Sequence, residues 1–272
     1  MRVIKIACIA SLVLVLASCS MFKSRPNLNA LPVAKLYQTG RDALKNGNYS
    51  YAEQAYKRLI ARFPYGDYNQ QAQIELAYAQ YKDGKPDDAY STVNRFIKTY
   101  PAQKHIAYAY YLRGLINFDR SGHFAQRVFG RDSRSRHDQG YRLESFDDFS
   151  KLTRRFPDSR YTNDARQRMI YLRNGLAMFE INVAEYYLRT RAYVASAHRA
   201  KYVIQHYQQS PETGDALAIL TRSYLGLNEP KLAKQTRQVL ALNYPHHPYL
   251  TDPKWPHSAS TLRRMIPFSG HH

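Results

Sequence analysis

Apolar, small and aromatic residues along this chain fall into four fixed columns, counted back from five marks. The marks are Arg62-Phe63-Pro64, Thr99-Tyr100-Pro101, Arg155-Phe156-Pro157, His206-Tyr207-Gln208 and Asn243-Tyr244-Pro245. One residue before the end of each mark stands an aromatic: Phe63, Tyr100, Phe156, Tyr207 and Tyr244. Five before it stand Leu59, Phe96, Leu152, Val203 and Leu240, and twelve before it Ala52, Ala89, Ser145, Ser196 and Ala233. The second and third columns are two helical turns apart, so they share one helix face. Seventeen before the end stand Gly47, Gly84, Gly140, Arg191 and Asn228, mostly residues that tolerate a left-handed turn. Each copy therefore predicts a turn, then a helix whose small residue lets a neighbour approach. An apolar residue fills the core two turns later, and proline stops the helix.

The marks are 37, 56, 51 and 37 residues apart. Two of these spacings lie near the period of about 34 residues of tetratricopeptide repeats, and the Ala–aromatic–Pro spacing resembles that motif. Gly40, Gly114 and Tyr224 match positions of its first helix, while its tryptophan is absent. The fold expected is all-α, a solenoid of about five helix hairpins over 34–69, 70–103, 104–160, 161–210 and 211–245. The third copy carries an insertion, 120–141, between a helix over 104–119 and a partner beginning near Arg142. The fourth predicts one long first helix over 161–190, with an apolar face of Ala165, Met169, Leu172, Leu176, Phe179, Val183 and Tyr187. Residues 246–272 read as an irregular extension.

The amino terminus has another pattern. Arg2 and Lys5 precede an apolar run, Ile6 to Leu16, too short for a bilayer, which needs about 20 residues. Leu16-Ala17-Ser18-Cys19 then resembles the bacterial lipobox, so residues 1–18 read as a removed signal and Cys19 as the lipidated first residue. Three acyl chains exceed the two-signal requirement for stable anchoring. Ser20, in place of an aspartate, points to the outer membrane, facing the periplasm. Residues 19–33 read as a flexible tether. Cys8, the only other cysteine, leaves with the signal, which excludes a disulfide framework.

The formal net charge is +19, falling to +17 once Arg2 and Lys5 are removed. Behind a secretion signal this charge does not imply nucleic acid. It suits an acidic protein partner or anionic headgroups. No phosphate loop, nucleophile elbow or zinc-protease motif occurs, so the chain reads as a non-enzyme without cofactor beyond the lipid. Asp147-Asp148 read as a solvated acidic face near Lys151 and Arg154. Five of the ten histidines, His246, His247, His257, His271 and His272, lie near the end without the partners of a structural metal site. Among the 24 tyrosines, Tyr56 sits on a core column, whereas Tyr65 and Tyr68 lie in the loop PYGDYNQQ and suit peptide contact. The insertion interleaves arginines with Phe129, which gives a contact loop of Phe129, Arg131, Asp132, Arg134 and Arg136.

The stretches RFPYGDYNQQAQ (62–73), VFGRDSRSRHD (128–138), FDDFSKLTRRFPDSRYTNDA (146–165) and VAEYYLRTRAYVA (183–195) resemble the BamD family. These are lipoproteins of the outer-membrane β-barrel assembly machinery. The resemblance covers about residues 15–245. It implies a scaffold that binds the POTRA region of BamA, other lipoproteins of that complex and the C-terminal targeting segment of unfolded outer-membrane proteins. On that reading Arg62, Phe63, Tyr65 and Tyr68 hold the client segment, and Glu185, Tyr186 and Arg199 dock BamA. A pilotin-like repeat lipoprotein that assists secretin assembly would share the lipobox and the repeats. It would not need the insertion.

Overall fold

The computed structural model describes residues 27–123, 136–252 and 255–256. Cys19, most of the tether, Phe129, Arg131, Asp132, Arg134 and the end of the tail lie outside the described residues, as does the side chain of Arg136. Among the described residues there are ten α-helices and no strand. They form two compact units that divide between Lys98 and Thr99.

The first unit holds α1 (Val33–Lys45), α2 (Tyr49–Arg62), α3 (Asp67–Lys82) and α4 (Pro86–Thr99). α1 packs on α2, α2 on α3, and α1 also meets α3. The core joins Leu36 and Tyr37 of α1 to Ala52, Tyr56 and Leu59 of α2 and to Ala72 and Leu76 of α3. A buried glutamate reinforces it. Glu53 accepts from Lys57 at 2.7 Å and from Lys85 at 2.8 Å, and Gln80 beside it accepts from Thr92 at 2.8 Å.

The second unit holds α5 (Ile106–Phe118), α6 (Arg136–Arg155), α7 (Thr162–Arg189), α8 (Tyr193–His206), α9 (Thr213–Gly226) and α10 (Pro230–Asn243). Each packs on its chain neighbour, and α7 also meets α9. A π-helical turn, Asp119–His123, follows α5. The partner helix α6 starts at Arg136, six residues earlier than the sequence pattern predicts, because Gly140 is helical. The other four members of its column do turn the chain left-handed: Gly47, Gly84, Arg191 and Asn228 have φ of 72°, 76°, 60° and 60°. α7 is the long helix expected, with Ala165, Leu172 and Leu176 buried.

The columns have a direct physical meaning. Leu59, Phe96, Leu152, Val203 and Leu240 are all fully buried, and the small column beside them is buried throughout. Where that column has serine, the hydroxyl is satisfied across the hairpin: Ser145 donates to the Gly114 carbonyl at 2.8 Å and Ser196 to that of Ala184 at 2.9 Å. At four of the five marks the aromatic caps its helix. Phe63, Phe156, Tyr207 and Tyr244 donate their N–H groups to Leu59, Leu152, Val203 and Leu240. Six residues on, Asn69 and Thr162 donate to the carbonyls of Phe63 and Phe156 at 2.7 and 2.8 Å, and Thr213 to that of Tyr207 at 3.3 Å. Tyr207 keeps this geometry although Gln208 replaces proline, so the aromatic anchor and its cap suffice to stop α8.

One expectation needs correction. Asp147 is exposed and pairs with Lys151, but Asp148, 3% exposed, is not on a solvated face. Helical rotation carries Asp148 to the opposite side, where Arg113 of α5 grips both carboxylate oxygens at 3.0 Å. The extension after Pro245, expected to be irregular, carries one short turn among its described residues. Its 3-10 turn, Pro248–Leu250, leads to Trp255, which joins the core of the second unit at 8% exposure. His247 lies on Gly214 and bonds Asp215 at 3.0 Å, and Arg222 donates to the Trp255 carbonyl. The segment thus runs along α9.

Candidate functional sites

In the first unit, the loop between α2 and α3 brings the expected client residues to different fates. Gly66, at φ 94°, turns the chain into α3 and leaves Tyr65 89% exposed. Tyr68 is 42% exposed, and its ring centroid lies 5.3 Å from that of the buried Tyr37. Phe63 instead packs half-buried against the core. Arg62 lies 4.9 Å over the Phe63 ring and donates to the carbonyls of Leu28 and Leu31 at 3.1 and 2.8 Å. Arg62 therefore ties down the N-terminal segment and Phe63 packs on the core, while Tyr65 and Tyr68 stay exposed.

Beneath Tyr68 lie groups the sequence pattern does not single out. Tyr37 stands 6.0 Å from Tyr56, and both hydroxyls are buried without a hydrogen-bond partner. Tyr56 fits only because position 40 is glycine: a Cβ there would come within 2.7 Å of its ring. Glu75 of α3 reaches the same place half-buried. Burial holds its carboxyl above the usual carboxylate range, against the pull of Arg41. Burial also lifts the Tyr37 phenol to about 12, with Glu75 adding to the shift.

In the second unit, the turn between α7 and α8 frames a shallow depression of about 660 Å³, lined by Tyr187, Arg191, Tyr193, Val194, His198 and Arg199 among others. Val194 is 70% exposed at its rim. Arg199 lies in it and pairs with Glu180 of α7 at 3.0 Å. Glu185 pairs with Arg189, at 3.7 Å. Tyr186 is exposed and meets Tyr187 edge-on at 5.7 Å. Of the three expected docking residues, Arg199 lines the depression, where cationic and aromatic side chains surround an apolar floor, whereas Glu185 and Tyr186 stand on the last turns of α7 and are not part of its lining. Glu180, Arg191 and Val194 join Arg199 only through the fold, since helical register and the left-handed turn set their positions.

Nearby, at the start of α9, Glu212 is half-buried beside Asp215. Burial first, then Asp215 and Glu185, push its carboxyl up to about 7. Among the described residues, no cluster of three metal-ligating side chains occurs, and no helix is long and apolar enough to cross a membrane.

The family model described as "Outer membrane lipoprotein" (YfiO) matches residues 29–240. A protein of Xylella fastidiosa (strain Temecula1) named outer membrane protein assembly factor BamD is 46% identical over 242 residues, 89% of this chain and 82% of that one. Its namesake in Neisseria meningitidis serogroup B is 39% identical, over 81% of this chain and 82% of that protein. Among solved structures, a thermophilic TPR protein of Thermus thermophilus aligns with 79% of this chain and 93% of its own at 13% identity, with a TM-score of 0.38. With both the family model and its relatives spanning most of its length, the chain belongs to the BamD (YfiO) family of outer-membrane lipoproteins.

Proposed function

We propose that this chain is a non-enzymatic scaffold for outer-membrane protein assembly, anchored at the periplasmic face through lipid on Cys19. The observation that carries this reading is the 46% identity with a protein named outer membrane protein assembly factor BamD. The two units take different partners. In the first, Tyr65 and Tyr68 offer aromatic surface to the C-terminal targeting segment of an unfolded β-barrel protein. Such side chains give large contact area at little cost in entropy. In the second, the depression around Arg199 takes the POTRA region of BamA. Arg199 spends one nitrogen on Glu180, and its fork keeps donors for a partner carboxylate.

Two variants test the division of labour. Arg199→Glu faces Glu180 with a like charge and reverses the potential of the depression. It should reduce copurification of BamA at least about tenfold. Tyr65→Ala with Tyr68→Ala should weaken photocrosslinking to a client C-terminal peptide while BamA still copurifies. Unchanged BamA recovery in the first variant refutes the docking surface, and unchanged crosslinking in the second refutes the groove. Recovery of a secretin in place of BamA would favour the pilotin reading.

A further inference from the structure

α9 has almost no free side. Ala216, Leu217, Ala218, Ile219 and Leu220 are buried at consecutive positions, more than one face of a helix can hold. α8 and α10 pack on it, and α7, the first helix of the preceding hairpin, meets it as well. In a stack of hairpins the remaining face belongs to the first helix of the next copy. The described residues after α10 hold no further α-helix, and the C-terminal segment, residues 246–252 with Trp255 and Pro256, lies there instead.

The course of this segment follows α9. His247 sits against Gly214 in the first turn, where a Cβ would stand 3.0 Å from its ring, and Trp255 reaches Arg222 two turns later. The segment therefore runs parallel to α9, as the first helix of a sixth hairpin would. Asp215 and Arg222 are the only charged residues of α9, and their spacing of seven sets them on one face. Both are spent on the segment: Asp215 bonds His247 at 3.0 Å, and Arg222 donates to the Trp255 carbonyl. Arg237 of α10 also donates to the Leu250 carbonyl, at 3.4 Å. Leu225, one turn beyond Arg222 and 57% exposed, marks where the cover ends.

Without the segment, that face of α9 would be an apolar strip with an acid at one end and a base at the other. Such a strip is complementary to itself. A twofold axis between two copies would set Asp215 of each beside Arg222 of the other, with Ala218 and Ile219 between them. An open end of a hairpin stack needs a cap for this reason.

We propose that residues 246–252 and Trp255 form the terminator of the hairpin stack, a self-docked strap that takes the place of a sixth hairpin. The strap keeps the α9 face of a second copy of this chain from pairing with its own.

Sedimentation velocity of the full-length chain, kept unlipidated by Cys19→Ala, tests this. About 0.5 M salt shortens the Debye length to about 4 Å, so the chain's excess of positive charge does not mask association. With its strap intact the chain should stay monomeric at every concentration. His247→Ala with Trp255→Ala should release the strap, keep the helical far-ultraviolet signal and give a mass that doubles as concentration rises. Adding Asp215→Arg should weaken that dimer at least about tenfold, because two bases then meet at each end. Adding Asp215→Arg and Arg222→Asp together should restore it. A released, helical chain that remains monomeric overturns the proposal, and so does a dimer indifferent to Asp215→Arg or a mass that climbs beyond two copies. Loss of the helical signal on release overturns it too, since the strap would then belong to the core and not cover it.

Discussion

Glu212 shows how one side chain ties stability to pH. Its folded carboxyl titrates at about 7 against an ordinary value of 4.5, because burial and the carboxylates of Asp215 and Glu185 disfavour its charge. A raised folded value means that the native state binds the proton more tightly than the unfolded chain does. The stabilisation is therefore complete below about 4.5 and is lost as pH rises through about 7. Glu212→Gln should raise the melting temperature by a few degrees at pH 8 and leave it unchanged at pH 4, which thermal scans at the two pH values would show. A null difference at pH 8 would mean that water reaches the carboxyl. The same scale explains where sequence reading stops. Asp147 and Asp148 are chemically identical neighbours, and only the arrival of Arg113 from 35 residues away separates them. Arg62 reads as a free cation because its acceptors are backbone carbonyls in the tether, which no side-chain pattern announces.

At the scale of the element, the columns were readable because each is set by a local period. The residue two turns after the small one must reach the core, and in five copies it does. The turn column was readable even through Arg191 and Asn228, whose alignment with Gly47 and Gly84 outweighs residue type. It misled at Gly140, where the helix starts early and the glycine sits within it. Glycine at another column has a different reason, close packing. A Cβ at Gly114 would stand 2.6 Å from Cε1 of Phe149, a ring sealed in the core between α5 and α6. Alanine gains about 1 kcal/mol of helix propensity there, whereas overpacking costs typically 1–3 kcal/mol. With the ring unable to withdraw, overpacking wins. Gly114→Ala should lower the melting temperature by several degrees, and adding Phe149→Leu should recover part of the loss. If Gly114→Ala is neutral or stabilising, the ring has room that the packing does not show.

At the scale of the whole molecule, a scaffold of the kind proposed works through its location and its partners. Cys19→Ala should give a chain with an unchanged melting temperature that leaves the membrane fraction on salt washing, and that stays bound wherever BamA is abundant. A chain that still floats with lipid in the absence of BamA would contradict lipid anchoring at this residue. The excess of positive charge adds a salt-dependent attraction to acidic surfaces, which acts over about one Debye length and cannot replace the proposed lipid anchor.

The C-terminal segment has a consequence of a practical kind. Trp255 is the chain's single tryptophan, and it is packed between His247, Tyr249 and the core of the second unit. Ultraviolet emission excited at the indole edge therefore reports one place only, the seat of this segment on α9. The native spectrum should be blue-shifted, and Arg222→Ala, which removes the donor to the Trp255 carbonyl, should move it to the red while far-ultraviolet circular dichroism stays helical. An unshifted spectrum would mean that ring packing alone seats the indole. The molecule thus carries its own optical probe, and partner binding near α9 becomes visible without a label.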